Sequence, residues 1–94
     1  MTDLEALIAR LRLHLDTTAA TDLLSRAVGA ASVTGDEAAM VAMLWPEMAR
    51  LGLDPQREDF LPGRPNITGR RKGAGAGLDL LFIGHTDVVH PRDW

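Results

Sequence analysis

Leu78-Asp79-Leu80-Leu81-Phe82-Ile83-Gly84-His85-Thr86-Asp87-Val88-Val89-His90 is the stretch on which the reading of the fold turns. Its apolar run, Leu80 to Ile83, has the length of a fully buried strand and stops at Gly84, where polar groups begin. The run predicts a strand from about Asp79 to Gly84. In open α/β sheets, ligands bind just past the carboxyl ends of such strands, so His85 and Asp87 are the first residues to weigh as a site. Residues i and i+2 of an extended chain project to the same side, and these two can share a face. Neutral imidazole is a common metal ligand, and a nearby carboxylate is the usual group that fixes its tautomer. On the residues alone, a histidine simply hydrogen-bonded at a strand terminus is the commoner case.

The segment before this run, Arg70 to Gly77 (RRKGAGAG), is rich in glycine and basic residues. A phosphate-binding loop would need Gly-Lys-Ser/Thr at its end and a helix after it. Here no serine or threonine follows Lys72, and the expected strand comes next, so a solvated hairpin loop is the better reading. Further upstream, Gln56–Phe60 and Asn66–Arg70 have the texture of short strands, joined by the connection Leu61-Pro62-Gly63-Arg64-Pro65.

The first half of the chain is helical in pattern. Leu4, Leu7, Ile8, Leu11 and Leu15 make one stripe over Asp3–Leu15, with Arg10, Arg12 and His14 near the C-terminal end, where positive charge suits the helix dipole. His14 has no companion ligand at i+4 and reads as a solvated helix-end residue. Asp16-Thr17-Thr18 favours a cap, and a second helix is expected from about Ala19 to Gly29, burying Leu23, Leu24, Ala27 and Val28. Thr34 and Glu37 have the Thr-x-x-Glu spacing of a capping box, which makes Glu37 a cap and not a catalytic acid. A third helix, Asp36–Leu51, carries the stripe Val41, Leu44, Trp45, Met48 and Leu51. Met40, Met43 and Met48 fit core filling better than a soft-metal site. Pro46 either kinks this helix or divides it, and Gly52 ends it.

Composition narrows the function classes. Ninety-four residues allow one small domain with a modest core. A net charge of −3 gives no reason to expect nucleic acid or an anionic membrane as partner. The absence of cysteine rules out disulfides, thiolate metal sites and cysteine nucleophiles. No run approaches the roughly 18 apolar residues of a membrane span, and the N-terminus lacks the basic and apolar regions of a signal peptide. A cytoplasmic location is the expectation.

Three motifs, in order, carry a resemblance to a known family. Ser32-Val33-Thr34-Gly35-Asp36-Glu37 resembles a Ser-x-Ser-Gly-x-Glu turn before a long helix, and Gly63-Arg64-Pro65-Asn66-Ile67-Thr68-Gly69 an Arg-Pro-Asn-hydrophobic strand. Gly84-His85-Thr86-Asp87-Val88-Val89 resembles Gly-His-x-Asp-Val-Val, and Asp93-Trp94 the end of a Gly-Asp-x-Trp segment. Together, from about Leu23 onward, they are similar to the N-terminal part of the M20 metallopeptidases and deacylases.

The resemblance implies an α/β fold: N-terminal helices followed by the first strands of a zinc-exopeptidase-like mixed sheet, incomplete here. Residues 1–94 would be the N-terminal part of a metallohydrolase catalytic domain, with 1–20 an extra helix. It implies cleavage of amide bonds in N-acyl amino acids or small peptides. The complete site would hold two ions, zinc or cobalt, and the full-length form could pair as a homodimer. Carried over residue by residue, His85 is the metal ligand and Asp87, which clamps its imidazole, the candidate catalytic residue. His90 stands where the family more often has proline and reads as a loop variant. The family's general base and most of its ligands lie downstream of the first histidine. The isolated chain is therefore expected to hold at most one ion, weakly, and to lack activity. The alternative is a non-catalytic remnant or interaction module that pairs with a full-length relative.

Overall fold

The computed structural model describes residues 1–90, and Asp93 and Trp94 of the last motif lie outside them. Three helices precede a two-stranded antiparallel sheet, an incomplete α/β arrangement: α1 (Asp3–Leu13), α2 (Thr17–Gly29), α3 (Ala38–Arg50), β1 (Asp54–Leu61) and β2 (Arg64–Arg70). Helix starts follow side-chain chemistry. Thr2 and Glu5 form a reciprocal capping box on α1, and Asp16 accepts from the Ala19 amide at 2.9 Å to open α2. α3 runs unbroken through Pro46 and closes on Gly52, whose φ of +79° suits glycine. There the Leu53 amide donates to the Met48 carbonyl and the Gly52 amide to that of Ala49, the paired bonds of a Schellman end.

The hairpin turns on Pro62-Gly63 alone, with Gly63 at φ +73°. The expected five-residue connection is thus shorter, because Leu61 pairs with Arg64 and Pro65 with Asp59 across a bulge at Phe60. α3 lies against both strands and α2 against α3, while α1 packs on no other element among the described residues. The core is small. Val41 is fully buried, and Met40, Met43, Leu44 and Met48 of the same helix are half-buried. Met48 also crosses β2 where Gly69 leaves room: a Cβ there would meet the Met48 sulfur at 2.9 Å and the Leu53 Cβ at 3.1 Å. Of the expected α2 stripe, Leu23 and Ala27 are half-buried, whereas Leu24 and Val28 face outward.

The expected third strand is not formed. Residues 79–84 run without ladder partners, and Leu80, Leu81, Phe82 and Ile83 are between 76% and 87% exposed. A strand exists through hydrogen bonds to a neighbour, and no described segment lies beside this run. For the same reason the glycine-rich 71–77 segment is a connection and not a hairpin loop. The radius of gyration, 16.4 Å, exceeds the roughly 12 to 13 Å of a compact chain this size, as an outlying helix and an extended segment require.

Candidate functional site

The three motifs meet in space. A single parallel bridge joins Val33 to Val88: the Val88 amide donates to the Ser32 carbonyl at 2.9 Å, and the Thr34 amide to the Val88 carbonyl at 3.0 Å. The buried Ser32 hydroxyl donates to the Thr86 carbonyl and pins the same segment two residues earlier. Past the bridge the chain turns through Gly35, at φ +101°, with the Asp36 amide bonded back to the Val33 carbonyl at 2.9 Å. That turn brings Glu37 to the start of α3, where it is 4% exposed.

Glu37 meets the second motif. Arg64, from the first position of β2, grips its carboxylate with two bonds, Nη2 to Oε1 at 2.7 Å and Nε to Oε2 at 3.2 Å. The Gly35 amide adds a third at 2.8 Å. The guanidinium lies over the Phe60 ring, 4.9 Å from its centroid. These bonds, Arg64 first and the Gly35 amide second, hold the Glu37 carboxyl at a pKa of about 2. The Thr34–Glu37 capping box is therefore corrected: Glu37 occupies the N-cap position of α3 but makes no side-chain cap bond. The Arg64 fork and the Gly35 amide take the carboxylate, while the Thr34 amide goes to the Val88 carbonyl and its hydroxyl to a different acid.

The Glu37 pair has a pH signature. Its carboxyl titrates lower in the folded chain than its ordinary 4.5, so the ionised pair contributes stability above that value and loses it as pH falls toward 2. Urea midpoints measured from pH 6 to pH 2 should fall more steeply for the wild type than for Glu37→Gln. Parallel curves would exclude the pair as the source.

The third motif supplies the imidazole. His85 Nδ1 lies 2.8 Å from the Asp87 carbonyl oxygen and 3.1 Å from Asp87 Oδ1. A ring nitrogen between two acceptors carries the proton, which leaves the Nε2 lone pair free on a side chain 83% exposed. The other carboxylate oxygen, Asp87 Oδ2, accepts from the Thr34 hydroxyl at 2.7 Å. This bond first, and the His85 contact second among the favourable ones, holds the Asp87 carboxyl below its ordinary range. Glu37, Arg64, His85 and Asp87 line one shallow concavity of about 240 Å³. Among the described residues, no group of three or more histidine and acidic side chains gathers at metal-binding distance. His14 caps the end of α1, and His90 is exposed beyond the bridge.

Sequence reasoning isolated His85 and Asp87 but not their supports. Arg64 was visible only as a member of its motif, and Thr34 was paired with Glu37 in a capping box, whereas Arg64 holds Glu37 and Thr34 holds Asp87.

In metal sites generally, a histidine ligand has its second nitrogen held by a carboxylate or carbonyl, and zinc needs about four such donors, of which the described residues bring one imidazole to this concavity. Comparison with known proteins finds a likeness over part of the chain. It is 39% identical over 64 residues to succinyl-diaminopimelate desuccinylases of two strains of Methylorubrum extorquens, covering 66% of this chain and 17% of theirs. With the succinyl-diaminopimelate desuccinylase of Paracidovorax citrulli it shares 38% identity over 72 residues, 67% of this chain and 18% of that one. The chain thus spans under a fifth of the length of these relatives. No protein-family model matches it, and no solved structure matches it significantly.

Proposed function

We propose that the chain is the N-terminal part of an M20-type metal-dependent amidohydrolase acting on N-acyl amino acids, with N-succinyl amino acids the first substrates to consider. The observation that carries this reading is the His85–Asp87 pair, in which Nδ1 is engaged by the carbonyl and carboxylate of Asp87 and Nε2 is left as a donor on an exposed side chain. The order of the three motifs and the partial likeness to desuccinylases support it. A bound zinc or cobalt ion supplies the Lewis acidity that makes water a nucleophile at neutral pH. His85 would hold such an ion, and Asp87 would orient the ring and raise its basicity.

The 94-residue chain by itself is proposed to be without turnover. The described residues bring one imidazole donor to the site. Glu37, the buried acid lining the same concavity, has its carboxylate engaged by Arg64 and Gly35 and is not free to serve as a base. A cytoplasmic location belongs to the same reading, as does pairing of the complete enzyme as a homodimer.

Zinc titration of the wild type beside His85→Ala tests the assignment. One weak site is expected in the wild type, and it should be lost in the variant; equal binding removes His85 from the reading. N-succinyl and N-acetyl amino acids incubated with the chain and zinc or cobalt should stay intact. Turnover that disappears in His85→Ala would refute the proposed inactivity.

A further inference from the structure

Thr34 lies in the first motif, 53 residues from the acid it touches. Its side chain and its backbone do different things. The amide donates to the Val88 carbonyl at 3.0 Å as half of the bridge, a bond that any residue except proline could make. The hydroxyl donates to Asp87 Oδ2 at 2.7 Å, with the Val88 carbonyl a distant second acceptor at 3.4 Å. The Asp87 carboxylate is thereby held at both ends, Oδ2 by Thr34 and Oδ1 by His85 Nδ1. Free rotation about the Asp87 side chain would otherwise let either oxygen, or neither, meet the ring, and would leave the Asp87 carbonyl at 2.8 Å as the single acceptor of Nδ1 on a ring open to water.

We propose that Thr34 is a positioning residue: by fixing the Asp87 carboxylate through Oδ2 it holds His85 as the Nδ1–H tautomer, with Nε2 bare and turned outward. The orientation rests on the chain's own hydrogen bonds, and its use for a cation rests on the metal-site reading above. The shape of the residue matters less than its hydroxyl. Serine keeps the donor, whereas valine keeps the volume and the β-branch and removes it.

The 94-residue chain labelled with ¹⁵N at histidine and valine separates these cases by NMR, with His85→Ala used to assign the ring signals and Val88→Ala the bridged amide. In the wild type and in Thr34→Ser, His85 is expected to show the Nδ1–H tautomer. In Thr34→Val its two nitrogen shifts should move toward each other as the tautomers mix, while the Val88 amide stays in its bridged position. Zinc should bind the valine variant roughly tenfold more weakly than the wild type, toward the low end of what an outer hydrogen-bond partner contributes. A valine variant with an unchanged tautomer overturns the proposal, as does a wild type whose tautomers are already mixed. Loss of the Val88 bridge in Thr34→Val would make the residue merely structural and overturns it too. If wild type and His85→Ala bind zinc alike, the metal reading falls while the tautomer measurement still judges Thr34.

Discussion

Replacing Arg64 with methionine is expected to destabilise the chain more than any other single change at the site. Methionine keeps the length and much of the packing over Phe60, so the variant isolates the loss of the guanidinium. What remains is a carboxylate 4% exposed at the head of α3, with the Gly35 amide as its remaining side-chain partner. A buried charge that loses its counter-ion costs more than the pair ever contributed, because desolvation is then uncompensated. Adding Glu37→Gln to Arg64→Met should therefore recover part of the loss, since the double variant buries no lone charge. Urea unfolding of the wild type, both single variants and the double variant reads the coupling directly. An Arg64→Met midpoint equal to that of the wild type, or a double variant no better than Arg64→Met, would show that the pair is incidental.

Changing Asp87 to asparagine is expected to weaken zinc binding by roughly 10- to 100-fold. The substitution preserves shape, and the amide oxygen can still accept from His85 Nδ1. The negative charge is what disappears, and with it the basicity lent to Nε2. The amide can also turn its nitrogen toward Nδ1, which favours the opposite tautomer and blocks the outward lone pair with a proton. Calorimetric titration with zinc at fixed pH measures the change, and His85→Ala gives the floor. An unaltered affinity would mean that the carboxylate 3.1 Å from the ring plays no part in holding a cation.

The helices were legible because their determinants are local. The apolar spacing of α1 and α3 and the cap at Asp16 each operate within about one turn, and the turn at Pro62-Gly63 within four residues. The His85–Asp87 contact was legible for the same reason, since i and i+2 on an extended chain are neighbours whatever the rest does. Expectations failed where remote partners decide, and two of them show how. Thr34-x-x-Glu37 spells a capping box, yet the hydroxyl goes to an acid 53 residues on and the carboxylate to a guanidinium 27 residues on. Nothing in a four-residue pattern reports such competitors. Leu80 to Ile83 has the content of a buried strand, but burial is a relation to other segments, and apolar content cannot supply the neighbour. The likeness over 64 residues to longer desuccinylases fits a segment whose apolar side chains find no cover among the described residues.

The parallel bridge between Val33 and Val88 also sets an order of assembly. The hairpin closes over a two-residue turn and needs only microseconds, whereas the bridge must gather ends separated by the whole of α3, the hairpin and the glycine-rich segment. Each doubling of such a span adds only about 0.6 kcal/mol of closure entropy, so the bridge is reachable, but a pair of backbone bonds and a few hydroxyl contacts must hold it shut. The Thr34 hold on Asp87 is therefore made after the hairpin and is lost whenever the bridge opens. Amide hydrogen exchange at Val88 should accordingly be faster than within α3, and the rate at which Thr34 gains and loses its grip on Asp87 is the breathing rate of that one closure.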